Sequence, residues 1–180
     1  MITSNFHTSN FFNNTFSVTS RLFEFESNKA LFLDLDHTII KPKSGNTFPK
    51  DINDWEFIKG IIKKIKEYNQ HNFKVLIVSN QGGIAKGYST ESETHKKFKN
   101  IIKSAKEQGV IIDDYLFSTT NRKTDIMRKP NPGMALKFAK QYDLNLSLSI
   151  MVGDMDSDKE FQKRAQIGKY IDIKDFINGI

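Results

Sequence analysis

From Ala30 onward the chain alternates short unbroken apolar runs with longer stretches in which apolar residues return every three or four positions. The runs are Ala30–Asp34, Lys74–Ser79, Tyr115–Thr119 and Ser149–Asp154, with a weaker one at Lys169–Ile173, and each ends in small or polar residues. Runs without polar alternation suit strands covered on both faces, as in a parallel sheet. Between the first two, Trp55, Ile58, Ile62, Ile65 and Tyr68, joined by Phe57 and Ile61, recur at helical spacing behind the cap candidates Asn53 and Asp54. Thr90 and Glu93 predict a capping box for a second helix, and Asn131 before Pro132 places a cap residue ahead of a first-turn proline for a third. Strand alternating with helix predicts an α/β domain with a doubly wound parallel sheet. Ligands of such sheets sit beyond the carboxyl ends of the strands, so chemistry is expected just after each apolar run.

Residues Met1–Ser20 break this pattern. They contain no Lys, Arg, Asp or Glu and are rich in Asn, Ser, Thr and Phe. We divide the chain into an N-terminal extension over 1–28, with an added strand near Arg21–Glu26, and one domain over 29–180. Composition narrows the chemistry further. The chain of 180 residues carries 27 Lys and Arg against 21 Asp and Glu, a net charge of +6, and no cysteine. Thiolate zinc sites, disulfides and cysteine nucleophiles are therefore excluded, and any metal must be held by oxygen or imidazole. No apolar run reaches the length of a membrane span and no secretory signal opens the chain, so the expectation is a soluble intracellular protein, cytoplasmic or nuclear, without a membrane partner. The basic balance suits a phosphate-rich partner, and equally a surface of solvated lysines.

The strand ends carry Asp34 and Asp36, then Ser79 and Asn80, then Lys129, and finally Asp154 with Asp158. Two carboxylates two residues apart on an extended chain face one side, and against the core such charge needs a counter-ion. A hard cation such as Mg²⁺ would supply it, with Asp154 as a further ligand. A carboxylate attacks a phosphomonoester only where anion repulsion is removed, which a metal and the Lys129 ammonium would do together. Ser79 and Asn80 offer a hydroxyl and backbone N–H donors to the phosphoryl oxygens, and Asp36 is placed to exchange protons with the leaving oxygen and then with water.

Asp34-Leu-Asp-His-Thr, Val78-Ser-Asn, Arg128-Lys-Pro and Val152-Gly-Asp-Met-Asp-Ser-Asp resemble the four ordered motifs of the haloacid dehalogenase (HAD) superfamily of phosphatases. The resemblance covers about Ala30–Ile173 and implies a Rossmann-like fold with a small cap domain or none. It also implies a nucleophile at Asp34, an acid/base at Asp36, and Ser79 and Lys129 on the phosphoryl group. Mg²⁺ would be held by Asp34, Asp154 and the Asp36 backbone carbonyl, with Asp158 supporting the site. Within that superfamily Asp34–Ile40, Lys43–Pro49 and Asp54-Trp55, with Ser79–Ile84, resemble the 3′-phosphatase domain of polynucleotide kinase 3′-phosphatases. This resemblance implies 3′-phosphorylated nucleic acid, DNA first, as substrate and a place in DNA repair. Lys41, Lys43, Lys50 and Arg128 are then expected to contact the strand. Two features point elsewhere. His37 stands where glycine is commonest, and Gly153–Asp158 with Asn131–Met134 looks equally like histidinol-phosphate and heptose-bisphosphate phosphatases, here without the cysteine-rich zinc loop that many of those carry. A third reading is a nucleic-acid-binding module of this fold without turnover. Gly82–Gly87 has the spacing of a phosphate-binding loop, but Tyr88 stands in place of its lysine, so no kinase activity is expected.

Overall fold

The computed structural model describes residues 28–47, 49 and 51–179. The extension over 1–27, including the strand expected near Arg21–Glu26, lies outside them, as does Lys50. In chain order the elements are β1 (Ala30–Leu33), β2 (Ile40–Lys41), β3 (Glu56–Phe57), α1 (Ile61–Gln70), β4 (Lys74–Asn80), α2 (Glu91–Glu107), β5 (Asp114–Ser118), α3 (Gly133–Tyr142), β6 (Ile150–Gly153), α4 (Asp156–Arg164), β7 (Lys169–Asp172) and α5 (Ile173–Asn178). All five expected strands form, within a residue or two of the apolar runs.

They make one parallel sheet in the order β5-β4-β1-β6-β7. Because β1 is central, its side chains alternate between two buried layers. Leu31 and Leu33 pack with Ile61 and Ile65 of α1, Phe98 and Ile101 of α2 and Phe176 of α5. Ala30 and Phe32 face Met134 and Phe138 of α3 and Phe161 of α4. Every residue of β1 is fully buried, which is why its run shows no polar alternation. Beyond β1 the chain moves outward through β4 and β5, then crosses back to β6 and β7 on the other side. The direction of winding therefore reverses between β1 and β6, and a crevice opens at their carboxyl ends. Between β1 and α1 the described residues insert only the two-stranded antiparallel pair β2–β3, and a short turn at Ile84–Lys86 follows β4, so the cap is small.

Two helix starts differ from expectation. The helix expected behind Asn53 and Asp54 begins only at Ile61, after Gly60 with φ 92°. Asp54 is engaged elsewhere, its carboxylate accepting from the Ser44 backbone N–H at 2.8 Å and from the Ser44 hydroxyl at 2.6 Å. Trp55 and Phe57 pack edge to face at 5.4 Å in and beside β3, so their helical spacing came from a short strand leading into a helix. At α3, Asn131 does not cap the helix. Its amide donates to the carbonyls of Lys123 and Asp125, both at 2.8 Å, and its oxygen accepts from Arg164 of α4 at 2.9 Å. The Thr90–Glu93 capping box of α2 forms as expected. Among the described residues no helix is long and apolar enough to cross a membrane.

Candidate active site

The crevice between β1 and β6 collects the charged residues from the strand ends. Asp34 follows β1, and its backbone N–H donates to Val152 of β6 at 3.0 Å, which holds it against the sheet with 8% of its surface exposed. Lys129 enters from the loop before α3, with 3% exposed. Its ammonium donates to Asp34 Oδ1 at 2.5 Å and to the Val78 carbonyl at 2.8 Å, and pairs with Asp158 Oδ1 at 2.6 Å. Asn80 holds that loop by both ends of its amide: Nδ2 donates to the Lys129 carbonyl and Oδ1 accepts from the Lys129 N–H, each at 2.9 Å. Arg128 braces the same loop, donating to the Thr120 carbonyl at 2.7 Å.

Asp158 is fully buried in the first turn of α4, where its Oδ2 accepts from the Met155 N–H at 3.1 Å. Its place is made by Gly153, since a Cβ there would lie 2.4 Å from the Asp158 carboxyl carbon. Asp154 stands between them. Its Oδ1 is buried without a hydrogen-bond partner. Asp34, Asp154 and Asp158 each present a carboxylate oxygen within 4.8 Å of the others. Three carboxylates thus gather beside one ammonium, which pairs with Asp34 and Asp158 and leaves Asp154 without an ion pair among the described residues. Burial pushes Asp34 up to about 7, against the attraction of Lys129 and with further repulsion from Asp158. Burial and then Asp158 raise Asp154 as well. For Lys129, burial opposes the charge, but Asp34 and Asp158 outweigh it and hold the ammonium above its ordinary value. A divalent cation fits this surplus of negative charge and the orphaned Asp154 oxygen.

The Asp36 carboxylate takes no part in that cluster. Its Oδ2 accepts from Gln81 Nε2 at 2.7 Å and its Oδ1 from Lys97 Nζ of α2 at 3.1 Å. Gln81 Nε2 also donates to Ser79 Oγ at 2.9 Å, and Ser79 is buried at the end of β4. Neither Gln81 nor Lys97 stands out as a site residue in the sequence. His37, just after Asp36, has φ 61°, which explains why glycine suits that position. The expected strand contacts do not converge: Lys41 pairs with Glu56 at 3.1 Å, Lys43 is exposed in the loop after β2, and Lys50 lies outside the described residues.

A carboxylate at the switch point of a parallel sheet, flanked by a buried ammonium and cation-ready oxygens, is the apparatus of a metal-assisted phosphatase of the HAD type, and comparison with known proteins bears out that class. The chain belongs to the family described as polynucleotide kinase 3 phosphatase, which matches residues 29–174. It is 35% identical over 143 residues to the D-glycero-α-D-manno-heptose-1,7-bisphosphate 7-phosphatase of Campylobacter jejuni, covering 79% of this chain and 81% of that one. It is 36% identical over 134 residues to the corresponding β-anomer enzyme of Helicobacter pylori, covering 73% and 76%. A HAD-like structure from Mesorhizobium loti superposes with TM-score 0.70 at 31% identity, over 79% of this chain and 70% of that one. The D,D-heptose 1,7-bisphosphate phosphatase of B. bronchiseptica, solved with magnesium and phosphate, shares the fold with TM-score 0.68 at 24% identity, over 76% of each chain. The chain is a phosphatase.

These relatives overturn the expected partner. By their names they act on a small sugar bisphosphate, so 3′-phosphorylated nucleic acid, the DNA-repair role and the non-catalytic nucleic-acid module are withdrawn. The strand contacts assigned to Lys41, Lys43, Lys50 and Arg128 go with them. The physical reason is that the four motifs encode phosphoryl chemistry, which sugar and polynucleotide phosphatases share.

Proposed function

We propose that the protein removes the 7-phosphate of D-glycero-D-manno-heptose-1,7-bisphosphate in a Mg²⁺-dependent reaction. The reading is carried by the relatives of that activity, one 35% identical across 79% of this chain. Asp34, Asp154 and Asp158 are the side chains that would hold the ion, with the Asp36 backbone carbonyl as a further ligand. When bound, Mg²⁺ neutralises the surplus charge, keeps Asp34 ionised and draws charge from the phosphoryl oxygens.

Asp34 attacks phosphorus, and the bond from phosphorus to the sugar O7 breaks. Asp36, entering this step as the carboxylic acid, gives its proton to that oxygen, and the sugar leaves as an alcohol. Water then attacks the aspartyl-phosphate, yields a proton to Asp36 and releases inorganic phosphate, which restores both carboxyl groups. Throughout, the Lys129 ammonium and the Ser79 hydroxyl stabilise charge on the phosphoryl oxygens. Asn80 serves by fixing the backbone that presents Lys129.

The test is phosphate release from the α and β anomers of the heptose bisphosphate, from histidinol phosphate and from a 3′-phosphorylated oligonucleotide, each with Mg²⁺ and with chelator. One heptose anomer is expected to exceed the other substrate classes in kcat/KM by at least about 10²-fold, and chelator is expected to abolish release. Preference for histidinol phosphate or for the oligonucleotide would overturn the proposal.

A further inference from the structure

α2 turns one stripe toward the core, on which Thr94, Phe98, Ile101 and Ala105 are buried, and Lys97 lies on that same stripe. An ammonium there is costly unless paired. The Lys97 side chain is 10% exposed, and its Nζ ends 3.1 Å from Asp36 Oδ1. On the other side, Gln81 Nε2 donates to Asp36 Oδ2 at 2.7 Å and to Ser79 Oγ at 2.9 Å. Both amide hydrogens of Gln81 are thereby used, and Ser79, accepting one of them, keeps its own O–H to donate elsewhere.

We propose that Lys97 is a positioning residue for the phosphatase reaction: reaching in from α2, it closes with Gln81 a two-sided clamp that fixes the Asp36 carboxylate relative to Ser79 and Asp34. The clamp rests on the proton-transfer role given to Asp36 above. A proton donor must lie within hydrogen-bond reach of the leaving oxygen, and a carboxyl group that accepts one hydrogen bond at each oxygen still has room for its proton but cannot swing out toward solvent. Without Lys97 one oxygen is released, and Asp36 samples positions from which transfer fails. Gln81 further couples the proton donor to the hydroxyl that steadies the phosphoryl group, so the two keep one geometry.

Steady-state kinetics of a double-mutant cycle test this, using the phosphomonoester that the parent hydrolyses fastest. Lys97→Met fits the apolar stripe and is expected to lower kcat about 10- to 100-fold with KM within about twofold, because Lys97 holds Asp36 and not the substrate. In an Asp36→Asn background the same substitution is expected to change kcat less than about twofold. Parental kcat in Lys97→Met, or an equal loss in both backgrounds, would overturn the clamp while leaving the role of Asp36 intact. Parental kcat in Asp36→Asn alone would instead remove the role on which the clamp rests. Should Lys97→Met fail to fold, Lys97→Gln, which retains a shorter polar side chain, runs the same cycle with the same criteria.

Discussion

Lys129 illustrates how much a single buried charge can decide. Removing it would leave Asp34 and Asp158 facing each other without a cation, and breaking a buried pair costs about 3–5 kcal/mol. Lys129→Met preserves volume and deletes only the charge. It is expected to lower the melting temperature of the metal-free protein at about pH 8 by roughly 6 °C or more and to abolish turnover. Thermal denaturation within a degree of the parent would show that the ammonium does not balance this cluster. Lys129, Asp34, Asp154 and Asp158 were legible in the sequence because polar residues at the ends of apolar runs have few places to go in a parallel sheet. Lys97 was not, since it sits among Lys96, Lys99 and Lys103 in one lysine-rich helix. Its spacing from Thr94 and Ile101 does place it on the buried stripe, and that was the available signal. Gln81 gave none, because a glutamine after a strand reads as a turn.

At the level of elements, the join between β6 and α4 is the most constrained. Gly153 ends the strand, and the Asp158 carboxyl occupies the space where its Cβ would be. Gly153→Ala must therefore displace either the strand end or the side chain that pairs with Lys129 at 2.6 Å. A stability loss of about 1–3 kcal/mol is expected from overpacking, with loss of turnover beyond what the folded fraction explains. Chemical denaturation read beside activity checks it, and a neutral variant would mean the helix shifts without cost. The strands were legible because continuous burial on two faces writes itself as an unbroken apolar run. The α1 boundary was not, because Trp55, Phe57 and Ile58 continue the helical spacing of Ile62 and Ile65 while serving a short strand. Nor was the start of α3, where Asn131 spends its amide on the Lys129 loop and on Arg164 instead of on the helix.

For the whole molecule, the net charge of +6 was a poor guide to substrate, because it says nothing about where the lysines stand. Lys41 lies against Glu56 at 3.1 Å, Lys74 against Asp113 at 2.8 Å, and Lys97 and Lys129 are buried in the site. The crevice itself holds more carboxylate than cation, and this imbalance sets how the protein should respond to pH and metal. Burial raises Asp34 from its ordinary value of 3.8 to about 7, so between those values the folded protein keeps a proton that the unfolded chain has lost. The stabilisation this gives is full below the lower value and is lost as pH rises through the upper one. Asp154, raised by burial and then by Asp158, acts in the same direction. The metal-free protein is therefore expected to melt at progressively lower temperature as pH rises across this window. Mg²⁺ binds the ionised carboxylates and competes with those protons, so its stabilising effect should run the other way. Differential scanning fluorimetry with saturating Mg²⁺ should show an upward shift at about pH 8 at least roughly twice that at about pH 5, accompanied by proton release at the lower pH. Equal shifts at both would place the bound ion away from Asp34, Asp154 and Asp158.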